Sequence, residues 1–355
     1  MSAESAKQFE ALERQAASLM AVFMRAGCEA VAPAIIQPAD IFLDVIGEDL
    51  RSRTYVFTDP EGQELCLRPD LTVPACRIYL ARHPAADVTA HYCYNGPAFR
   101  FQPYGATAAH PNEFRQAGIE LIADTDREQA ETEVLALILG ALRTAGLTDY
   151  RVRMGDLGLF HALLDELAMP ERGRQRLRAQ FWRPDAFRTA LHRLAASAHD
   201  AKVLLPGDLA ARLEGADGLE AEKVVTQYLD DNAVPLFGAR STTEIAEGLL
   251  ATVDDARAEP IPAESARLIE QYLGVKGRAP DVASRIETLI ASAGPRATAA
   301  AKAYRRRLEL MSKAGIDVGA IEFSAEFGRN LEYYTGFVFD IVSPALGPAP
   351  FGALW

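Results

Sequence analysis

The sequence predicts an α+β fold in which an antiparallel sheet, flanked by helices, is interrupted by a long helical insertion. Three observations predict it. Short apolar or alternating segments joined by turn signals crowd residues 29–154, which favours consecutive hairpins and antiparallel pairing. Stretches with helical spacing flank those segments. From about residue 170 to 315 the chain becomes rich in Ala, Arg, Leu and Glu, with short helical periods broken by Pro206-Gly207, Pro235, Pro260, Pro262 and Gly294-Pro295.

Leu12, Leu19, Val22, Phe23 and Met24 recur at near-helical spacing before Gly27, so residues 5–26 read as an amphipathic helix with a glycine stop. Glu29 to Ile36, Thr54 to Thr58 and Glu64 to Leu67 read as strands, the last two joined by a turn at Asp59-Pro60-Glu61-Gly62. Further strands are expected at His91 to Tyr94, Ala98 to Gln102 and Phe114 to Ile122, with QPYGATAAHPNE as the loop before the last. Asp126 to Ala145 is a helix with an acidic cap and Gly146 at its end. A strand at Tyr150 to Met154 leads into a helix near Leu159 to Leu167. After the insertion, strand character returns at Ala320 to Phe323 and Tyr333 to Val342, and SPALGPAPFGALW is expected to add no stable element. The expected division is 1–169 for the first part of the core, 170–315 for the insertion and 316–355 for a return to the core sheet.

Composition bounds the function. At 355 residues, 49% hydrophobic and 24% charged, the chain has ample material for a buried core. Its formal charge of -12 opposes binding a long polyanion, because nucleic-acid affinity depends on basic residues that release phosphate counterions. No nucleic-acid partner is expected. There is no run of about 18 uncharged apolar residues and no basic leader followed by an apolar stretch, so no membrane association and a cytoplasmic location are expected. Cys28, Cys66, Cys76 and Cys93 form no CxxC pair and have no matching His spacing. They read as buried reduced thiols, with no metal and no cofactor expected.

Three segments carry candidate chemistry. In Leu67-Arg68-Pro69-Asp70-Leu71-Thr72, Asp70 and Thr72 can accept hydrogen bonds from an α-ammonium group, although Asp70 also reads as a plain helix cap. In GPAFRFQ and EFRQAGIE, Gln116, Gly118 and Glu120 share one strand face, and Arg100 can share a face with Gln102. Arg100 suits a carboxylate or phosphate, while Gln116 and Glu120 suit a nitrogen-bearing side chain; a half-buried sheet with a paired Arg and Glu explains the same residues. In Glu326 to Phe339, Arg329 precedes Tyr333, Tyr334 and Gly336, offering a cation and an aromatic wall, or simply core tyrosines.

Together, LRPDLT, GPAFR with QAGIE, and RNLEYYTGFVFDI resemble histidyl-tRNA synthetase, whose segments read roughly LRPEGT, an FR hairpin ending in QFGVE, and RGLDYYTG. The resemblance runs from about residue 8 to 343 and sets Pro33 at the proline of the first class II motif, which supports a dimer interface. It implies a class II aminoacyl-tRNA synthetase-like antiparallel sheet and a histidine pocket. Asp70 and Thr72 would lie at the amino group and Gln116 near the amino or carboxylate group. Arg100 looks like the motif 2 arginine, Glu120 and Tyr334 like imidazole readers, Arg329 like the specificity-motif arginine, and Tyr333 stands beside Tyr334.

The pattern departs where ATP would be held. Gln102 replaces the usual Glu, Pro111 and Asn112 stand where histidyl enzymes are basic, and no glycine-rich third-motif strand follows Val342. Losing such electrostatic stabilisation costs orders of magnitude in rate. No anticodon-binding domain is expected either. A kept pocket with lost ATP features resembles the ATP phosphoribosyltransferase regulatory subunit. That resemblance implies no catalysis by this chain, a short-form catalytic ATP phosphoribosyltransferase as partner, L-histidine as effector, and a self-dimer within a hetero-octamer. The rival is an ATP-dependent amino-acid activating enzyme, a degenerate histidyl-tRNA synthetase.

Overall fold

A computed structural model of the chain describes residues 5–43, 51–107, 110–195, 205, 208–232, 234, 241–255, 260–291, 293–328, 334–344 and 352–353. The first helix, Ala6–Arg25, opens with a reciprocal cap in which Ser5 Oγ accepts from Gln8 N–H at 3.3 Å and Gln8 Oε1 accepts from Ser5 N–H at 2.9 Å. The segment expected as one strand from Glu29 to Ile36 forms two: β1 (Glu29–Ala30) and β2 (Ile36–Pro38), in different sheets. Pro33 between them has no N–H to give to a ladder, and the chain changes sheet there.

β3 (Tyr55–Thr58) and β4 (Glu64–Leu67) form the expected hairpin, and β2 completes a three-stranded antiparallel sheet in the order β2-β4-β3. In the turn, Asp59 Oδ1 accepts from the backbone N–H groups of Glu61 and Gln63, both at 2.9 Å, and Gly62 takes φ +88°. After the helix Thr72–Arg82, β5 (Ala90–Phe99) and β6 (Glu113–Ile122) make a ten-residue antiparallel pair, with β1 parallel to β5 on the other edge. The two strands expected at 91–94 and 98–102 are thus one. β1 pairs only with Tyr92 and Cys93, so Pro97 sits where no second ladder needs its missing N–H. Arg100 to Gln102 fall beyond the strand end, which corrects their expected sharing of a strand face.

The helix Arg127–Thr144 is capped by Asp126, whose Oδ1 accepts from Gln129 N–H at 3.2 Å. It precedes β7 (Arg151–Asp156) and the helix Leu157–Glu166. β7 belongs to a second sheet, ordered β11-β10-β7-β9-β8, with β8 (Lys276–Arg278), β9 (Ile321–Ser324), β10 (Phe337–Val342) and β11 (Gly352–Ala353). β7 and β9 run parallel, as do β1 and β5, so antiparallel pairing dominates without being universal. β11 pairs with Asp340 and Ile341, which corrects the expectation that nothing stable follows residue 342. The position of Tyr333, expected to open the last strong strand, lies outside the described residues; β10 begins at Phe337.

The chain divides into two compact units, residues 1–162 with 274–355, and residues 163–273. The helical segment was expected to end at 315, but the helices Ala279–Ile290 and Pro295–Lys313 belong to the first unit. Their apolar faces explain this: Ile286, Ile290, Tyr304 and Met311 are buried, and the Tyr304 ring meets Phe323 of β9 edge-on at 5.2 Å. Among its described residues the second unit contains helices and no strand. Its helix Gly218–Asp231 packs Ala221 and Val225 against Ala246 and Val253 of the helix Thr242–Asp255. Among the described residues, no helix is long and apolar enough to cross a membrane.

Candidate functional site

The β5–β6 register places Tyr92, Tyr94, Gly96 and Ala98 opposite Glu120, Gly118, Gln116 and Phe114. Directly opposed residues share a face, so Gln116, Gly118 and Glu120 line one surface, as period-2 alternation predicts. The helix Thr72–Arg82 lies over that surface. Leu71, Ala75 and Tyr79 form one apolar cluster with Tyr92, Tyr94 and Ala98. The two glycines open the face. A Cβ at Gly96 would sit 2.5 Å from Arg68 Nη2, and one at Gly118 would sit 2.5 Å from Tyr94 Oη.

Arg68 uses the space left by Gly96 to fasten three segments. Its Nε donates to Pro97 O at 2.8 Å and its Nη1 donates to Pro33 O, while its own backbone N–H bonds Ile35 O at 3.0 Å. Asp70 follows, fully buried, with Oδ1 accepting from Val73 N–H at 3.2 Å. Its Oδ2 is buried without a hydrogen-bond partner. Gln116 accepts from Leu71 N–H at 3.2 Å through Oε1, and its Nε2 is likewise buried and unpartnered. The pair therefore presents one unmatched acceptor and one unmatched donor, a pattern that fits an amino acid's ammonium and carboxylate.

Deeper along the face, Tyr94 Oη donates to Glu120 Oε1 at 2.8 Å and lies 3.1 Å from Thr72 Oγ1. Loss of solvation raises the Glu120 carboxyl to about 7 from its ordinary 4.5, against the lowering effect of the Tyr94 and Thr72 hydroxyls, and the Asp70 charge adds to the rise. Burial also raises Asp70. Cys76, one helical turn after Thr72, is pushed up to about 12 by burial and by the charges of Glu120 and Asp70.

A pH dependence follows. Below about pH 4.5 the folded and unfolded chains both hold the Glu120 proton; as pH rises toward 7, the unfolded chain releases it first. The unliganded protein therefore loses stability across that window, by up to about 3.5 kcal/mol from this residue at ~1.4 kcal/mol per unit. Urea melts at pH 5 and pH 8 should show a smaller pH difference in Glu120→Gln than in the parent. An equal difference would mean that Glu120 is solvated in the folded state.

Arg100 Nε donates to Pro69 O at 2.9 Å and its guanidinium stacks over the Phe114 ring at 5.0 Å, which puts the cation beside Asp70. Gln102 turns the other way. Its Oε1 accepts from Arg53 Nη2 at 2.7 Å, its Nε2 donates to Pro111 O at 3.2 Å, and its N–H donates to Asn112 Oδ1 at 3.2 Å. Residues 102, 111 and 112 thus hold the loop to itself and to Arg53, which precedes β3.

Tyr334 is buried, whereas Arg329 and Tyr333 lie outside the described residues. The flanks of that segment are tightly seated. A Cβ at Gly155 would fall 2.3 Å from Phe327 O, and one at Gly336 would fall 1.9 Å from Arg127 Nη2. The structure thus brings together Asp70, Thr72, Gln116 and Glu120, with Arg100 at their edge. It adds Tyr94 and Cys76, which the motifs did not single out. Tyr94 lies in the strand expected at His91 to Tyr94, but its place at the site comes from Gly118 across the ladder.

The histidyl-tRNA synthetase family model matches residues 4–234. An ATP phosphoribosyltransferase regulatory subunit of Mesorhizobium japonicum is 33% identical over 337 residues, spanning 92% of this chain and 86% of its own. Its namesake in Brucella anthropi is 31% identical, spanning 93% and 85%. Among solved structures, an ATP phosphoribosyltransferase regulatory subunit/histidyl-tRNA synthetase of Bacillus halodurans superposes with a TM-score of 0.65 at 18% identity, over 99% of this chain and 73% of that one. A histidine-tRNA ligase subunit of Alicyclobacillus acidocaldarius gives 0.57 at 21% identity, over 99% and 85%. At such identities these two likenesses speak for the fold, the class II synthetase type with its sheets and flanking helices. With identity above 30% to relatives matched over more than nine-tenths of its length, the chain belongs to the family of ATP phosphoribosyltransferase regulatory subunits, built on a histidyl-tRNA synthetase domain.

Proposed function

We propose that this regulatory subunit binds L-histidine in the β5–β6 pocket and carries its level to a short-form catalytic ATP phosphoribosyltransferase subunit. The partner performs the transfer between ATP and phosphoribosyl pyrophosphate, the first step of histidine synthesis. This chain is non-catalytic, is needed for the partner's activity, and makes the complex sensitive to histidine. One observation carries the reading: the buried, unmatched Oδ2 of Asp70 and Nε2 of Gln116 offer the two halves of a zwitterion what each lacks. Glu120 then faces the ligand side chain, with Arg100, Arg329, Tyr333 and Tyr334 as further candidates.

The ATP side supports a regulatory reading. Gln102 is committed to Arg53 and Pro111, and Asn112 to the Gln102 backbone, so positions 102, 111 and 112 of this loop offer only neutral side chains where phosphates need cations. Feedback requires histidine to bind two quaternary states with different affinity, since equal binding shifts nothing. The test is direct. Histidine should inhibit the reconstituted complex, while the purified chain should show no pyrophosphate exchange with histidine and ATP. Clear exchange would overturn the reading in favour of an activating enzyme.

We also propose a self-dimer, the unit of a hetero-octamer. The β2-β4-β3 sheet supports it: Ile36, Leu67 and Tyr55 are aligned in register, as are Pro38, Leu65 and Phe57. All six are apolar on one face and none is fully buried, with Ile36 at 51% and Phe57 at 38% exposure. Phe57→Asp should convert the dimer to a monomer in sedimentation velocity with little change in melting temperature. A dimer that persists would move the interface elsewhere.

A further inference from the structure

Tyr94 is among the least exposed side chains of the molecule, and its ring lies in a space that only glycine leaves. Directly across the ladder, a Cβ at Gly118 would fall 2.5, 2.6 and 2.8 Å from Oη, Cζ and Cε2 of that ring. The phenol therefore lies along the β6 backbone and reaches past Gly118 to Glu120, two residues on, where it donates at 2.8 Å to Oε1. Thr72 Oγ1, 3.1 Å from the same hydroxyl, closes the cluster. A tyrosine hydroxyl has a single hydrogen. Given to Glu120, it is not available to a ligand, so this hydroxyl works by fixing the carboxylate.

We propose that Tyr94, seated across Gly118, is the positioning residue for side-chain selectivity: it commits one oxygen of Glu120 and holds the other to accept from a ring N–H of the bound amino acid. The proposal rests on the pocket's assignment to histidine. A site built to accept an N–H rejects a ligand that lacks one, because its buried acceptor is then left unpaired. A five-membered ring of equal size without N–H is thus the informative competitor. Ala at 118 would push the ring aside with its hydroxyl intact, and Phe at 94 would keep the ring without the hydroxyl, so two different changes reach the same end.

The experiment is calorimetric titration of the full-length protein with L-histidine and with 3-(3-thienyl)-L-alanine. The parent should prefer histidine by on the order of 100-fold or more. Tyr94→Phe should cut that preference about tenfold, and Gly118→Ala by a similar factor. A merely structural role would lower stability without changing the ratio of the two affinities. An unchanged ratio in Tyr94→Phe, with histidine still bound, overturns the role of Tyr94 and leaves the histidine site standing. Absence of histidine binding by the parent overturns the assignment of the pocket itself, and this proposal with it.

Discussion

Histidine is expected to raise the melting temperature, and Asp70→Asn to abolish that rise while leaving the unliganded protein at least as stable as the parent. The substitution keeps the Oδ1 acceptor that bonds Val73 N–H and exchanges only the unmatched Oδ2 for an N–H donor. Without ligand, the parent holds a fully buried carboxyl group whose charged form is disfavoured by lost solvation, and the amide removes that penalty. With ligand, an ammonium meets a donor instead of a carboxylate. A lost charge-assisted hydrogen bond costs about 1.5–3 kcal/mol, and donor facing donor adds to it, so affinity should fall on the order of 100-fold. At a histidine concentration of about 100 times Kd the parent gains ~2.7 kcal/mol, nearly all of which the variant should lose. Glu120→Ala and Arg329→Ala should lose it as well. A full thermal shift in Asp70→Asn would place the amino group elsewhere.

Arg307→Ala should be the most destabilising single change in the core sheet region, by about 3–5 kcal/mol. Arg307 Nε bonds Glu131 Oε2 at 2.6 Å, Nη1 bonds Asp156 Oδ2 at 2.7 Å, and the guanidinium lies over the Phe337 ring at 4.8 Å. One side chain thereby joins the helices Arg127–Thr144 and Pro295–Lys313 to β7 and β10. Its removal takes the bridging guanidinium from two little-exposed acidic groups, Glu131 keeping Arg127 Nε on its other oxygen at 3.1 Å. Asp156 also caps the next helix, its Oδ1 accepting from Gly158 and Leu159 N–H at 2.8 and 3.3 Å, so it cannot turn away to find water. Arg307→Lys should recover only part of the loss, because an ammonium lacks the forked geometry that serves both acids. A loss under about 1 kcal/mol in equilibrium urea unfolding, well below the usual worth of a buried charge's partner, would show that water reaches the acids.

The local parts of the fold were legible because their causes are local. Gln116, Gly118 and Glu120 fall on one face by strand geometry alone, and the Asp59 to Gly62 turn follows from a side chain that bonds its own backbone. What escaped depended on distant partners. Nothing near Tyr150 says that β7 pairs parallel with β9, and helical periodicity alone cannot tell that Ala279–Ile290 joins the sheet unit while Ala263–Leu273 does not. At the candidate site, Asp70 and Gln116 were readable from motif position. Tyr94 was not, because its role comes from Gly118 on the opposite strand, which single-residue patterns do not connect.

The β7–β10 pairing also sets a timetable for the nascent chain. Arg153 and Asp340, joined by a bond at 2.8 Å, stand 187 residues apart in sequence, with the whole 163–273 unit made between them. At about 5–20 residues per second, a ribosome needs roughly 10–40 s to supply β10 after β7 has emerged. For most of that interval β7 lacks both of its neighbours, β9 emerging shortly before β10, while the β5–β6 hairpin and its helix already have theirs. The β5–β6 face proposed for histidine is thus paired early in synthesis, and the sheet built on β7 stays open to aggregation and to chaperone capture until β10 is made.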